Sequence, residues 1–327
     1  MRKLATVEKI KSIHEHSNAD NLEIATVRNW KVVVQKGEFQ EGDNCVYFEI
    51  DSFLPIRPEF EFLRKSSYRK IDNVEGFRIK SIRLRNVLSQ GLLIPAAKLK
   101  MENVDFGTDV TEMLGVTLYE PPISKAPDIL GKFPVEYVSK TDEERIQNLE
   151  WEEILSHSPY EVTEKLDGSS CTIIYDKKLK VCSRNWEIKE GENSFWKIAE
   201  RYLLKSMLPL LGRNWIAIQG ELIGTKIQGN RYKLSNVDFY GFNVQADGYD
   251  KDVLRDGFYF NQLKMKTVPV IHSSLSVDDL SVDDIITMAD GKSMLADVNR
   301  EGLVFRSIKN PKFSFKAISN KFLLKSS

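Results

Sequence analysis

The sequence predicts an α+β protein made of two unlike parts, an N-terminal β-barrel and then a domain of antiparallel sheets flanked by helices. Three observations predict it. To about Leu118, short apolar runs alternate with glycine-marked turns. Between residues 119 and 140 four prolines crowd together, Pro121, Pro122, Pro127 and Pro134. From residue 141 onward, strand-like and helix-like runs mix. The expected organisation is therefore 1–118, a 119–140 linker and 141–327.

In the first part the clearest strands are Val32-Val33-Val34, Cys45 to Ile50 and Phe77 to Arg85, punctuated by Gly37, Gly42 and Gly76. The third run loses its alternation near Ser81, which predicts a bulge. Several short strands need closure to hide their edges, so a small barrel is expected. The proline cluster is linker chemistry, with fixed φ and few amide donors. Thr141-Asp142-Glu143-Glu144 has the spacing of a capping box and predicts a helix through Ile146 and Leu149. Strands are then expected at Cys171–Tyr175, Leu179–Ser183, Trp215–Glu221, Asp238–Val244, Gly302–Phe305 and Phe313–Ala317. A helix from about Ser194 to Leu208 places Phe195, Ile198, Ala199, Tyr202 and Leu203 on one face. Acidic Ser276–Ala289 predicts another, with Asp278-Asp279 and Asp283-Asp284 as a solvated face.

Lys+Arg and Asp+Glu both number 47, so the net charge is zero. That excludes a polycation coating nucleic acid or membrane by bulk charge, but not a local basic face. No apolar run is long enough to span a bilayer, and the N-terminus lacks a signal-peptide core. Three cysteines without metal-ligand spacing predict free thiols and a reducing compartment, cytoplasmic, nuclear or similar. His14 and His16 are expected in a solvated turn. Gly291-Lys292-Ser293 lacks the first glycine of a phosphate loop, Ile286 standing in its place.

The sharpest local pattern is Glu164-Lys165-Leu166-Asp167-Gly168-Ser169. A strand ends here at a glycine turn, with Lys165 and Asp167 on one face. A lysine so placed can act as a nucleophile once its amine, of reference pKa about 10.4, loses its proton. A plain surface turn fits the tetrapeptide alone equally well.

Five downstream motifs decide between these. Ser183-Arg184-Asn185, Gln219-Gly220-Glu221, Phe239 to Val244, Glu301-Gly302-Leu303-Val304 and Phe313 to Ile318 follow Lys165-Leu166-Asp167-Gly168 in the order found in the covalent nucleotidyltransferase superfamily of DNA ligases, RNA ligases and capping enzymes, which this chain resembles. The resemblance implies that Lys165 bonds to the nucleotide, with Asp167 and Gly168 in its motif. It implies Arg184 on the nucleotide sugar or nucleic-acid end, Glu221 at the ribose or metal, and Phe242 stacked on the base. Glu301 would lie by the metal and Lys316 on the α-phosphate, helping to depress the Lys165 pKa. The chain departs from the pattern at Ser314, where a second lysine is common, and at Asn243, where an aspartate is common. Phe239 and Tyr240 compete with Phe242 for the base. Glutamates suit a hard cation, and a cation with a lysine suits in-line phosphoryl transfer.

Only eleven residues follow Lys316, so the OB-fold expected after this motif in DNA ligases and capping enzymes has no room, and the extra domain precedes Lys165. This arrangement resembles the Deinococcus-type ATP-dependent RNA ligases, an N-terminal OB-fold followed by an adenylyltransferase domain. The resemblance implies ATP and Mg²⁺ or Mn²⁺ as cofactors and RNA or an RNA-containing duplex as partner. It further implies sealing of 3′-OH/5′-phosphate breaks, nicks with RNA on the 3′-OH side, through lysyl-AMP and an adenylylated 5′-end. A monomer without membrane association is expected. A GTP-dependent guanylyltransferase is the alternative enzyme. A non-catalytic RNA- or tRNA-binding factor is the alternative from another class, since His16 to Leu22 and Leu84 to Leu93 look like OB-folds of tRNA-binding proteins. Arg64, Lys65, Arg69, Lys70, Arg78, Lys80, Arg83 and Arg85, interleaved with Phe62, Tyr68 and Phe77, read as either a phosphate-tracking patch or a solvated edge strand.

Overall fold

A computed structural model of the 327-residue chain describes residues 2–71, 73–120, 128–248 and 257–326. The chain divides into two compact units, one of residues 1–124 with 323–327, the other of residues 125–322.

The first unit is built from short antiparallel strands around two apolar clusters. Asn44–Phe48 lies between Ala5–Lys9 and Leu92–Pro95, and Leu22–Val27 between Ser12–Glu15 and Trp30–Gln35. Trp30–Gln35 buries Trp30, Val32 and Val34 in strict alternation, as a half-buried strand must. The run expected from Phe77 to Arg85 is two strands, Val74–Arg78 and Ile82–Leu84. The lost phase marks Ile79, whose side chain is buried and whose amide donates to the Ser52 carbonyl. Ile82–Leu84 then pairs with Val87–Ser89 through a tight turn with Arg85 and Asn86 at positive φ. His16 is buried, contrary to the expected solvated turn. Its Nδ1 accepts the Asn18 amide, so Nε2 carries the proton and donates to the Leu84 carbonyl at 3.2 Å.

The second unit holds two sheets. The larger has seven strands in the order Ile129–Lys132, Trp186–Ile188, Lys178–Cys182, Ser169–Asp176, Ile216–Ile223, Asp238–Ala246 and Lys266–Thr267. The smaller runs Glu144–Arg145, Ser314–Ile318, Gly302–Ser307, Tyr160–Lys165 and Val270–Leu275. Each buries one face under its own helix. Trp196, Ile198 and Ala199 of helix Ser194–Arg201 pack on Ile173, Ile218 and Phe239. Ile285, Ile286 and Ala289 of helix Val282–Ala289 pack on Val162, Leu303 and Phe305.

Three expected elements differ. The helix at 141–149 is replaced by strand Glu144–Arg145, a 3-10 turn at Ile146–Asn148 and helix Trp151–Ser156. Glu144 does not reach back to cap residue 141: its Oε1 accepts the Arg145 amide and the Asn148 side chain, while its backbone pairs with Phe315. A true capping box forms instead at Ser281 and Asp284, residues within the expected acidic helix. The helix at 194–208 breaks at Leu203, which turns left-handed and points to solvent so that Leu204 and Leu208 can enter the core. Within 119–140, where no regular element was expected, Ile129–Lys132 is an edge strand and Phe133 and Val138 are buried; Pro121, Pro122 and Pro127 lie outside the described residues. All three cysteines are free and buried, and burial pushes the Cys45 and Cys182 thiols up to about 12.

Phe315 stacks on Phe305 with centroids 4.8 Å apart and meets Tyr160 edge-on, in the core beneath the smaller sheet. Phe315→Ala is expected to destabilise the second unit by about 3–5 kcal/mol, measured by denaturant unfolding.

Candidate active site

Lys165 ends strand Tyr160–Lys165. Tyr160 and Val162 face the helix-covered core, so Thr163 and Lys165 face the other way. Gly302 is its cross-strand partner, which brings Glu301 alongside: Lys165 Nζ lies 2.8 Å from Glu301 Oε1. Residues 166–168 then carry the chain from the smaller sheet into the larger, where Ser169 pairs with Leu222. Glycine is required there, because a Cβ on Gly168 would sit 2.1 Å from the Leu222 carbonyl oxygen. Tyr232, buried against Leu166, accepts the Asp167 amide at 2.8 Å, and Arg231 lies 3.9 Å from the Asp167 carboxylate.

The open faces of the two sheets line a cavity of about 520 Å³. Lys165, Asp167, Gly168, Arg184, Glu221, Phe242, Glu301 and Lys316 all line it, so the eight predicted residues converge on one space. Phe239 is core and Tyr240 is buried with Lys266 over its ring, which leaves Phe242 as the aromatic of that strand at the cavity. Asn243 has a different task. Its side-chain amide donates to Gln219 Oε1 at 2.7 Å, and Gln219 donates to the Ser139 carbonyl at 3.0 Å.

Charge dominates the cavity. Burial pushes the Glu221 carboxyl up to about 8, with Glu301 and Asp167 adding to the rise and Lys165 opposing it. Burial also works to lower the Lys165 amine, but Glu301, Glu221 and Glu143 outweigh it and hold the amine above its ordinary value. That is the reverse of the depression expected from Lys316, because carboxylates are the nearer neighbours. Burial lowers Lys316, against the pull of Asp142. Asp142 itself resists the raising effect of burial and stays below the usual carboxylate range, held by Lys316 at 2.9 Å and Arg184 at 3.0 Å.

The donor set fits a hard divalent cation. Glu221 and Glu301 supply oxygen only, and burial, with Glu301 and Asp167 nearby, disfavours an unpartnered charge on Glu221, a cost that a bound cation would relieve. Among the described residues no group of three or more His, Cys, Asp or Glu side chains forms a closed metal cage. Two carboxylates completed by water and substrate phosphate are the usual Mg²⁺ arrangement. Reading the motifs alone missed Asp142, which was assigned to a helix cap, and Tyr232, which belongs to no motif.

In the first unit the basic track is narrower than its sequence. Arg64 pairs with Glu61, Lys70 with Glu75, and Arg78 with Asp51, and Phe77 is fully buried. Lys65, Arg69, Lys80, Arg83 and Arg85 are exposed, and no carboxylate partner is found for them among the described residues.

An OB-fold domain profile matches residues 4–96, and the RNA ligase profile matches residues 158–318. Solved structures match along the whole chain. A mutant of Naegleria gruberi RNA ligase with AMP and Mn is 40% identical with a TM-score of 0.86, covering 99% of each chain. A mutant of the same ligase with ATP and Mn is 41% identical, at 0.86 and 99% of each chain. The chain belongs to the RNA ligase family. The Naegleria ligase with PPi is likewise similar to this ligase, at 41% identity, a TM-score of 0.85 and 99% of each chain. No curated protein matches. No helix among the described residues is long and apolar enough to cross a membrane.

Tyr232→Phe leaves the Asp167 amide without its acceptor. It is expected to lower the unfolding free energy of the second unit by about 1–3 kcal/mol, read from chemical denaturation.

Proposed function

We propose that this ligase joins RNA ends by three nucleotidyl transfers at the one cavity. It is an ATP-dependent RNA ligase, with ATP and a divalent metal as cofactors. Lys165 Nζ, once it has given up a proton, attacks the α-phosphorus of ATP; the P–N bond forms, the bond to the β-phosphate oxygen breaks, pyrophosphate leaves, and a second proton passes from the nitrogen to solvent. A 5′-phosphate oxygen then attacks the same phosphorus, freeing the lysine and making an adenylylated 5′-end. Last, the 3′-OH attacks the 5′-phosphorus, the phosphodiester forms, AMP departs and the hydroxyl's proton passes to solvent. The observation that carries this reading is the position of the Lys165 amine at the cavity wall, on Glu301 and facing Glu221, with Lys316 and Arg184 lining the same space.

Lys316 neutralises the α-phosphate, Arg184 and Glu221 fix the sugar, and Phe242 stacks on the adenine. Mg²⁺ or Mn²⁺ held by Glu221 and Glu301 would offset the carboxylates that keep Lys165 protonated and would stabilise charge on the phosphate. Asp167 and Gly168 shape the turn that presents the lysine.

The arrangement of N-terminal OB-fold and C-terminal ligase domain supports the Deinococcus-type branch and its preference for nicks in duplexes with RNA on the 3′-OH side. We assign 1–118 to nucleic-acid binding, 119–140 to a linker and 141–327 to catalysis, in a monomer working in a reducing intracellular compartment. The exposed cations of the first unit that have no carboxylate partner among the described residues are the phosphate contacts.

Sealing assays on nicked duplexes, with RNA or DNA placed separately on each side of the break, test the reading. ATP should support sealing and GTP should not, and RNA should be required on the 3′-OH side. Equal sealing with a DNA 3′-OH contradicts the branch; GTP in place of ATP contradicts the cofactor. Arg83→Ala with Arg85→Ala should weaken nick binding and reduce the slope of log affinity against log salt by about 2, measured by titration at several salt concentrations.

A further inference from the structure

Asp142 sits at the junction of the cavity's two walls. Its Oδ1 lies 2.9 Å from Lys316 Nζ, on the smaller sheet, and its Oδ2 lies 3.0 Å from Arg184, beyond strand Lys178–Cys182 of the larger sheet. One carboxylate thus joins a cation from each sheet. Its side chain is 48% exposed, yet the segment that carries it is fixed on both sides. Upstream, the Ser139 carbonyl accepts Gln219, itself held by buried Asn243, and Lys140 donates to Asn185 at 2.8 Å. Downstream, Glu144–Arg145 pairs in parallel with Phe315–Lys316. Asp142 therefore has a defined place independent of its two ion pairs.

We propose that Asp142 is a positioning residue for the nucleotidyl transfers, holding Lys316 and Arg184 in the fixed relation that the phosphate and sugar of one nucleotide require. This rests on the function proposed above. Lysine and arginine side chains are long and rotamer-rich, and free cations this close repel each other. A carboxylate bridging them sets both before substrate arrives. The bridge does not consume their binding capacity: an ammonium has three donors and a guanidinium five, and each spends one on Asp142. Asp142 and Glu143 also line a second cavity of about 630 Å³, so the strip carrying the carboxylate is shared by both spaces.

The test is the rate of AMP attachment to Lys165 as a function of ATP concentration, in the full chain with Mg²⁺, for Asp142→Ala and Asp142→Asn. The maximal rate should fall about 10- to 100-fold, the cost of a misplaced catalytic group, while half-saturating ATP moves less than the rate. Asp142→Asn, which keeps an oxygen for the largely buried Lys316 and loses only the exposed charge on the Arg184 side, should leave the thermal midpoint near the wild-type value. In a Lys316→Ala background, Asp142→Ala should cost less than it does in the wild-type chain, the remainder being its hold on Arg184. A wild-type rate with tighter ATP binding overturns the proposal and makes Asp142 a stand-in that the nucleotide displaces. Fully multiplicative losses in the double variant also overturn it. If the wild-type protein takes up no AMP, it is the function reading that fails.

Discussion

The pair formed by Lys165 and Glu301 is the constraint around which the second unit is arranged. A half-buried amine beside a carboxylate at 2.8 Å is held protonated, and a protonated amine is no nucleophile. The rest of the cavity bears on that balance. Glu301, Glu221 and Glu143 hold the amine up, and Lys316 and Arg184 add positive charge, tied down by Asp142. With these carboxylates beside it, the amine stays above its ordinary value. A divalent cation held by Glu301 and Glu221 would offset the charge that keeps the amine up.

The scaffold explains why these groups meet. Two sheets each spend one face on a helix-covered core and present the other to the cavity. The chain passes between them at residues 166–168, so Lys165 lies at the crossover, where both walls are close. The close approach of Gly168 to the Leu222 carbonyl makes that crossing tight and fixes Lys165 relative to Glu221 on the neighbouring strand. Phe315 anchors the outer side of the strand whose next residue is Lys316.

The long central strands are legible in sequence because burial demands continuous apolar runs, as in Cys171–Tyr175 and Trp215–Glu221. The short edge pairings are not: Glu144–Arg145 and Lys266–Thr267 are strands only because a partner lies beside them. Thr141 to Glu144 carries a good helix-start pattern, and a tertiary pairing overrode it. Leu203 fits the apolar helix face, but the need to bury Leu204 and Leu208 decided the turn. At the site, the eight residues that line the cavity were legible because they fall within short motifs in one order along the chain. Asp142 and Tyr232 were not, since each acts through a contact far away in the chain, 174 residues to Lys316 and 65 to Asp167. The basic run from Arg64 to Arg85 was legible as charge, but not the internal carboxylates that neutralise Arg64, Lys70 and Arg78.

The most direct measurement is peptide mapping by mass spectrometry of the protein after incubation with ATP and Mg²⁺ in the absence of RNA. The account predicts a single AMP on the peptide containing Lys165, joined through the lysine nitrogen and discharged when a 5′-phosphorylated nick is added. AMP found on any other residue, or a protein that seals RNA while never carrying AMP, would contradict it.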